Sequence, residues 1–180
     1  MKVKGSATIE DLLQMPEDGY KYELVDGEIV ASPTGMYHSE VSARIIHLIQ
    51  QALDRSPIGK VYSSDVGIHL PDGNVRSPDV CFVRTEKLPA GKSPDSFGQM
   101  IPDLVVEVLS PSDIPRRIAD KIGEYLGHGV PLVWLVNPEE STVTVYRSIT
   151  DTRRLESTDV ISGDPILPGF SCSVSRFFGP

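Results

Sequence analysis

Two short runs of alternating apolar and polar residues near the N-terminus flank Asp26 and Gly27. This alternation is typical of strands with one buried face, and an Asp-Gly pair tolerates the positive φ angles of a two-residue turn. The pattern predicts a β-hairpin over residues 20–32. Thr8 and Asp11 stand before it at the spacing of a helix capping box, which predicts a short helix there.

Two longer stretches space their apolar residues as amphipathic helices do, with repeats of three and four positions. The first spans residues 37–54. The second begins after the Ser-Pro-Ser-Asp segment at 110–113 and reaches about His128. Each helix is expected to pack its apolar stripe against a sheet.

The strand signals lie between and after these two helices. Strands are predicted in the segments 59–70, 77–83, 103–109, 132–136 and 142–147, and the segment 167–178 closes the chain. The run at 103–109 is apolar on both sides apart from its acids, which indicates a central strand covered on both faces. Residues 84–102, rich in Pro, Gly and Ser, form the longest predicted loop.

The predicted core order is helix, three strands, helix, strand, with additions at both ends. It indicates an α/β (α+β) fold built around a central sheet. We expect one domain over residues 1–180, because that length suffices for a single hydrophobic core. Residues 1–36 are expected to form an N-terminal helix and hairpin extension, 37–147 the core and 148–180 a C-terminal extension.

Composition and charge narrow the functional classes. A formal net charge of −8 gives no overall attraction to a polyanion, so tight nonspecific binding of nucleic acid is not expected. No apolar run approaches the ~18 residues of a membrane span, and a soluble, cytoplasmic protein is expected. Cys81 and Cys172 lack zinc-ligand spacing and are interpreted as buried free thiols. The absence of GxSxG, Walker and dinucleotide glycine motifs argues against a serine hydrolase and nucleotide cofactors.

Two acids stand in or beside strands that are otherwise apolar. Glu107 occupies the centre of the run at 103–109, and Asp79 follows Pro78 at the start of another strand. An ionised carboxylate buried in such a strand costs several kcal/mol unless a cation or hydrogen-bond donors compensate it. Glu107 therefore requires a partner.

The helix that follows Glu107 offers a candidate partner. On a wheel of about 100° per residue, Lys121 falls about 20° from Ile114, within the apolar stripe. Arg117 flanks the stripe, whereas Asp120 and Glu124 fall on the outer side of the helix. Lys121 is therefore predicted to share a pocket with the two acids of the sheet.

Asp79, Glu107 and Lys121 together fit phosphodiester cleavage. Two carboxylates and a main-chain carbonyl, for which that of Val108 is the candidate, can hold Mg²⁺ or Mn²⁺ through hard oxygen ligands. The metal lowers the pKa of its bound water, and a lysine orients that water or stabilises the charge of the pentavalent phosphorus. Each residue alone has a plainer explanation: a Pro-Asp turn, a buried salt bridge and a lysine that snorkels to solvent. Their joint occurrence in this element order favours the metal site.

Six segments, in order and with compatible spacing, carry a family resemblance over nearly the whole chain: YELVDGEIVASP, HSEV, SPDVCFV, PDLVVEVLSPS, DKIGEYLGHGVPLVWLVNP and LPGF. The chain resembles the Uma family of restriction-endonuclease-like proteins in the PD-(D/E)XK superfamily. The resemblance implies a restriction-endonuclease-like core with a mixed sheet, with Asp79 as the motif aspartate and Glu107 as the second acid. Leu109 stands where the superfamily pattern has a lysine. In this family the lysine looks relocated to the following helix, and Lys121 is the matching position.

Two further residues look similar to family motif positions, Glu23 in YELVDG and His38 at the start of the long helix. Glu23 shares the more polar hairpin face with Lys21 and Glu28, so a solvated charge is the favoured interpretation. His38 falls within the buried stripe of its helix and could face the cleft, although a histidine at a helix start is more often a satisfied structural group. Glu40 points away from the stripe.

Candidate phosphate contacts are Arg116, Arg117 and Lys121 near the start of the second long helix, with Lys87 and Lys92 in the long loop. For the two loop lysines, ordinary solubilising charge is the favoured interpretation. The sequence has no recognisable base-reading helix, zinc finger or series of stacking aromatic residues, so sequence specificity is not predicted.

The leading hypothesis is a Mg²⁺-dependent endonuclease that hydrolyses DNA and has no association with membranes. A homodimer is expected where both strands are cut, because two-fold symmetry presents two sites. One alternative is a noncatalytic binding or regulatory module that retains the nuclease fold. Another is a metal-dependent hydrolase of a smaller phosphodiester, which suits an acidic protein better.

Overall fold

The computed structural model describes residues 5–33, 35–95 and 97–179. Within these ranges the helices are α1 (Ile9–Leu13), α2 (Met36–Arg55) and α3 (Pro115–Gly127), with short 3₁₀ helices at Thr85–Lys87, Pro89–Gly91 and Val174–Phe177. The strands are β1 (Tyr20–Val25), β2 (Glu28–Pro33), β3 (Gly59–Ser63), β4 (Ile68–His69), β5 (Val75–Arg76), β6 (Val80–Arg84), β7 (Leu104–Val108), β8 (Val133–Asn137), β9 (Thr142–Tyr146), β10 (Thr152–Leu155), β11 (Val160–Ser162) and β12 (Ser171–Ser173).

Six strands form the central sheet in the order β10-β9-β8-β7-β6-β3. Strands β7 and β8 are parallel, and the other neighbours pair antiparallel. A parallel pair requires a crossover connection, and α3 supplies it between β7 and β8. The core of α2, then β3, β6 and β7, then α3 and β8 confirms the predicted helix, three strands, helix, strand around a mixed sheet.

One face of the central sheet is covered by α2 and by the C-terminal segment. Ile45 and Ile49 of α2 pack with Phe82 and Trp134 of the sheet, and Phe177 fills the same cluster from the C-terminal side. This face is therefore the larger apolar core. Within the described residues, no helix combines the length and the apolarity needed to cross a membrane.

The opposite face of the central sheet is covered by α3. Tyr125 of α3 packs there with Cys81 of β6 and Val105 of β7. Side chains alternate between the two faces along a strand, so Asp79 shares this face with Cys81, and Glu107 shares it with Val105. Both predicted acids therefore lie beneath α3.

The N-terminal hairpin forms as predicted. Strands β1 and β2 pair antiparallel, and Asp26 and Gly27 turn between them with φ angles of 52° and 73°. The predicted capping box is present, because the Asp11 N–H donates to the Thr8 hydroxyl and the Thr8 N–H donates to the Asp11 carboxylate. The hairpin continues into a second sheet, in the order β2-β1-β5-β4. This sheet brings side chains of β1 and β5 to the α3 face of the central sheet.

The single strand predicted over 59–70 is interrupted. Ser64 and Asp65 form a turn, so β3 joins the central sheet while β4 pairs with β5 in the second sheet. The Ser63 hydroxyl donates to the Asp65 carboxylate, an interaction typical of polar turns. The prediction of one long strand is therefore wrong, because local turn chemistry outweighs the strand propensity of the flanking residues.

The C-terminal segment differs from its sequence pattern in two respects. Strand β10 extends the central sheet at its edge, and three of its four residues are exposed, so no apolar alternation marks it in the sequence. Cys81 is buried and free as predicted, but Cys172 of β12 is only half-buried. The prediction for Cys172 is wrong because β12 packs against the outside of the large core cluster, not within it.

Candidate active site

Asp79 and Glu107 stand opposite each other at neighbouring strands. Val80 pairs with Val106 in the β6–β7 ladder, and the same register continued by one residue sets Asp79 against Glu107. Side chains in such opposite positions have Cβ atoms roughly 4.5–5.5 Å apart. Asp79 is 3% exposed and Glu107 is 4% exposed, and both line one cleft. Two carboxylates therefore meet at the base of this cleft.

Asp79 is surrounded by hydrogen-bond donors. Its Oδ1 lies 2.7 Å from Lys21 Nζ, and its Oδ2 lies 3.0 Å from His38 Nε2 and accepts from the Val108 N–H at 2.8 Å. Burial by itself would raise the pKa of Asp79, but the hydrogen bond with His38 and the positive charge of Lys21 outweigh it. The pKa of Asp79 therefore lies well below its ordinary value, and Asp79 is a carboxylate at neutral pH.

Glu107 has weaker compensation than Asp79. Its Oε1 accepts a hydrogen bond from the Tyr125 hydroxyl at 2.8 Å and lies 2.9 Å from Lys121 Nζ. Burial raises the pKa of Glu107 more than Lys121 lowers it, and the charge of Asp79 adds to the rise. Glu107 therefore accepts a proton more readily than Asp79 does.

Lys121 lies between two acids on the buried side of α3. Its Nζ is 2.9 Å from Glu107 Oε1 and 3.0 Å from Glu23 Oε1. Burial would lower the pKa of Lys121, but the charges of Glu107, Glu23 and Asp79 together raise it above the ordinary lysine value. Lys121 therefore stays protonated and contributes a fixed positive charge. Its side chain points toward the sheet, as its position on the helical wheel predicted.

His38 reaches the same carboxylate from the first turn of α2. The side chain lines the cleft, and Nε2 contacts Asp79 Oδ2. Burial would lower the pKa of His38, but the hydrogen bond and charge of Asp79 raise it above the ordinary value. His38 therefore faces the cleft and also has a hydrogen-bond partner. Both interpretations of its sequence position, a cleft residue and a structural histidine, describe it.

Glu23 is buried, not solvated as the polar hairpin face predicted. Its Oε1 contacts Lys121 and accepts from the Ser77 N–H at 2.8 Å, and its Oε2 lies 3.3 Å from Arg76 Nη1. Burial would raise the pKa of Glu23, but the cations, with Lys121 foremost, hold it below its ordinary value. The prediction is wrong because β5 and α3 cover this face of the hairpin, whereas Glu28 remains exposed.

Arg76 of β5 links Glu23 to Glu124 of α3. Arg76 Nε donates to Glu124 Oε2 at 2.6 Å, and Nη2 forms a salt bridge with the same oxygen. Glu124 was predicted on the outer side of the helix, and this is wrong, whereas Asp120 is exposed as predicted. A helical wheel relates a residue to the apolar stripe of its own helix and does not reveal a second sheet beside that helix.

The cleft over these groups has a volume of about 1110 Å³. Arg116 and Arg117 line it and are exposed at the start of α3. Lys87 instead pairs with Asp103 at 2.9 Å, and neither Lys87 nor Lys92 lines the cleft. Of the predicted phosphate contacts outside the buried site, the two arginines therefore reach the cleft.

A second group of possible metal ligands lies at the far side of the cleft. Asp72, Glu124 and His128 have ligand atoms within 4.8 Å of one another. His128 Nε2 lies 2.9 Å from Asp72 Oδ2, and Asn74 Nδ2 donates to both Asp72 and Glu124. Arg76 also occupies Glu124. An ion here would have to displace donors from both carboxylates, Asn74 from Asp72 and both Asn74 and Arg76 from Glu124.

The donor set at the base of the cleft does fit a hard divalent cation. Asp79 Oδ1 already interacts with a positive charge, the ammonium group of Lys21, so this oxygen is placed to bind a cation. Among the described residues, the hydrogen bond and salt bridge of Glu107 both involve Oε1, which leaves Oε2 available. Val108 lines the cleft beside them. Such oxygen ligands are those that Mg²⁺ and Mn²⁺ prefer.

Sequence reasoning missed Lys21, Arg76 and Tyr125 as parts of this site. The alternation of β1 does put Lys21 on the same face as Glu23, and Tyr125 lies one turn after Lys121. These two spacings could have indicated Lys21 and Tyr125 as parts of the site. Arg76 had none, because a two-residue strand in a second sheet leaves no periodic pattern.

The fold and the facing carboxylates define a restriction-endonuclease-like α/β protein. A crystal structure from Anabaena variabilis ATCC 29413, described as "a putative nuclease belonging to DUF820", is similar to this chain with a TM-score of 0.83. The two chains are 22% identical, and the match covers 95% of this chain and 97% of the other. This similarity establishes a shared fold.

The chain belongs to the Uma2 family, because the family model described as "Putative restriction endonuclease" matches residues 9–175. The resemblance seen in the sequence is thereby confirmed. None of the curated proteins compared with this chain matches it.

Proposed function

We propose that this protein is a metal-dependent endonuclease that hydrolyses phosphodiester bonds of DNA. The observation that carries the proposal is the meeting of two buried carboxylates, Asp79 and Glu107, with the ammonium group of Lys121 at 2.9 Å from Glu107. Membership of the Uma2 family and the fold shared with a structure described as a nuclease support it.

Each residue has a distinct role in the proposed reaction. Asp79, Glu107 and the carbonyl of Val108 would hold Mg²⁺ or Mn²⁺, which supplies Lewis acidity and lowers the pKa of a bound water. Lys121, protonated between two acids, offers a positive charge where negative charge develops on the phosphorus oxygens. His38 holds Oδ2 of Asp79 and so orients the carboxylate.

The substrate would enter from the side of α3. Arg116 and Arg117 stand exposed at the start of this helix and can contact backbone phosphates on either side of the scissile bond. Cutting of both strands of a duplex would require a second site, which a homodimer with two-fold symmetry supplies.

Substitution of the two acids tests the proposal. Asp79→Asn and Glu107→Gln should each lower Mg²⁺-dependent cleavage of plasmid DNA by about 10³-fold or more, because each removes a charged ligand. Cleavage is measured on protein freed of contaminating nucleases, with circular dichroism as the check on folding. The proposal fails if either folded variant cleaves as fast as the wild type.

A matched control separates this site from the other group of possible ligands. His128→Gln removes the histidine that pairs with Asp72 and does not line the cleft. We expect its cleavage rate to stay within about twofold of the wild type. Calorimetry with Mg²⁺ should show saturable binding in the wild type and in His128→Gln, and none in Asp79→Asn. A noncatalytic module would bind no Mg²⁺ in any of the three.

A smaller phosphodiester is the second candidate substrate, and the charge of the cleft favours it. Among the described residues that line the cleft, nine are Asp or Glu, five are Lys or Arg, and one is His. A long polyanion gains little attraction from such a surface. Cleavage rates on duplex DNA, single-stranded DNA and a dinucleotide decide between the candidates, since a strong preference for the dinucleotide would replace DNA as the substrate.

A further inference from the structure

Lys21 is a cation in the site that the roles above do not use. It belongs to β1 of the N-terminal hairpin, and its Nζ lies 2.7 Å from Asp79 Oδ1. The Lys21 side chain is 12% exposed, and it lines the cleft with Asp79. The contact is therefore a largely buried ion pair, unlike the exposed surface pairs that contribute little to stability.

The other donors to Asp79 leave Oδ1 to Lys21. Both His38 and the Val108 N–H contact Oδ2. Among the described residues, Lys21 is the group that contacts Oδ1. A divalent cation that binds Asp79 through Oδ1 therefore competes with the ammonium group of Lys21 for the same oxygen.

The two lysines of the site differ in what would hold them once an ion is bound. Lys121 contacts both Glu107 and Glu23, so it keeps Glu23 even if Glu107 turns to the ion. Within the part of the chain that the structure describes, Asp79 is the acid in salt-bridge contact with Lys21. Displacement from Asp79 would therefore leave the Lys21 ammonium at the wall of the cleft without its salt bridge.

We propose that Lys21 is the resident counter-ion of Asp79, which an incoming divalent cation displaces and which then contacts the substrate phosphate. The inference rests on the proposed function. Lys21 thus brings a second positive charge to the reacting phosphate from a different part of the chain.

The role of counter-ion predicts two effects of opposite direction in Lys21→Met. Loss of the competing ammonium should tighten Mg²⁺ binding, with a dissociation constant about 3-fold to 10-fold lower, because Asp79 is then less compensated without the ion. Turnover at saturating Mg²⁺ should fall about 10-fold to 100-fold, because a charge on the phosphate is lost. If Lys21 were merely structural, Lys21→Met would weaken Mg²⁺ binding and also lower turnover.

The experiment measures Mg²⁺ affinity by calorimetry, melting temperature with and without Mg²⁺, and turnover at saturating Mg²⁺. Lys60→Met is the matched control, because Lys60 is an exposed lysine of β3 outside the cleft. We expect no change in any readout for the control. For Lys21→Met, we expect a lower melting temperature without Mg²⁺ and a smaller deficit with it.

The possible results separate the counter-ion role, the contact with the phosphate and the proposed function. If the wild type binds Mg²⁺ and Lys21→Met binds it equally or more weakly, the counter-ion role is overturned while the proposed function stands. If affinity rises and turnover is unchanged, the contact with the phosphate is overturned. If the wild type binds no divalent cation, the proposed function and the inference both fail. Lys21→Gln, which removes the charge and retains an amide donor, replaces Lys21→Met if that variant does not fold.

Discussion

Asp79 and Glu107 are alike in burial and strand position, and they differ in the charges around them. Asp79 contacts two groups that can carry positive charge, Lys21 and His38, and its pKa lies well below the ordinary value. Glu107 contacts one cation, Lys121, which it shares with another acid, and its pKa lies above the ordinary value.

The comparison shows that burial does not decide the state of a carboxylate in this site. Burial raises the pKa of both acids. At Asp79 the hydrogen bond with His38 and the charge of Lys21 outweigh burial, whereas at Glu107 the charge of Lys121 does not. Asp79 is an anion at neutral pH before any ion binds. Glu107 depends on a lysine that a neighbouring acid also holds, and acids whose pKa values are pushed apart are typical of sites with divided chemical roles.

The largest expected effect comes from Arg76→Met, which tests the support on the Glu107 side. Arg76 holds Glu23, and Glu23 holds Lys121. Removal of this buried cation deprives both Glu23 and Glu124 of a salt bridge and leaves them only their remaining donors, so the free energy of unfolding should fall by about 3–5 kcal/mol. Urea denaturation in EDTA measures it. Arg154→Met is the control, since Arg154 makes exposed salt bridges worth less than about 1 kcal/mol. Equal losses in the two variants would contradict the network.

An intermediate effect should separate the two acids directly. Without metal, Asp79→Asn should lower the free energy of unfolding by about 2 kcal/mol, because it removes a charge that stabilises the fold. Glu107→Gln should cost less than about 1 kcal/mol, because the charge of Glu107 is poorly compensated and the amide oxygen still accepts from Tyr125. Urea denaturation of both variants at neutral pH measures the difference. A larger loss of stability in Glu107→Gln than in Asp79→Asn would contradict the proposed difference between the two acids.

The smallest expected effect is that of Tyr125→Phe. The variant removes one hydrogen bond to Glu107 Oε1 and keeps the salt bridge with Lys121, so it should cost about 1 kcal/mol. Tyr146→Phe is the matched control, because no side-chain hydrogen bond of Tyr146 is found among the described residues, and its stability should be unchanged. A cost near zero for Tyr125→Phe would show that Lys121 alone satisfies Glu107.

Local sequence patterns were sufficient for most elements of the fold. The Asp26-Gly27 turn, the Thr8–Asp11 capping box and the two long helices each follow from neighbouring residues, and each forms as predicted. These features depend on backbone geometry and short-range spacing, which the chain carries in any context.

The acids and the lysine of α3 could also be anticipated from the sequence. Strand alternation sets Glu107 on a definite face, and helical spacing turns Lys121 toward the sheet. The same reasoning misjudged Glu23 and Glu124, because it treated each element as though only its own apolar stripe were covered. Arg76 lies between those two acids, and it comes from a strand too short to be predicted.

For the elements with a clear periodic pattern, the chain alone thus specified which face carries charge, since side-chain direction follows from the local period of a strand or helix. It left open which of those faces meet. That depends on the second sheet, whose strands β1 and β5 lie far apart in the chain and bring Lys21 to Asp79 and Arg76 to Glu23. Contacts between distant segments arise from the packing of whole elements, and no periodicity within one element encodes them.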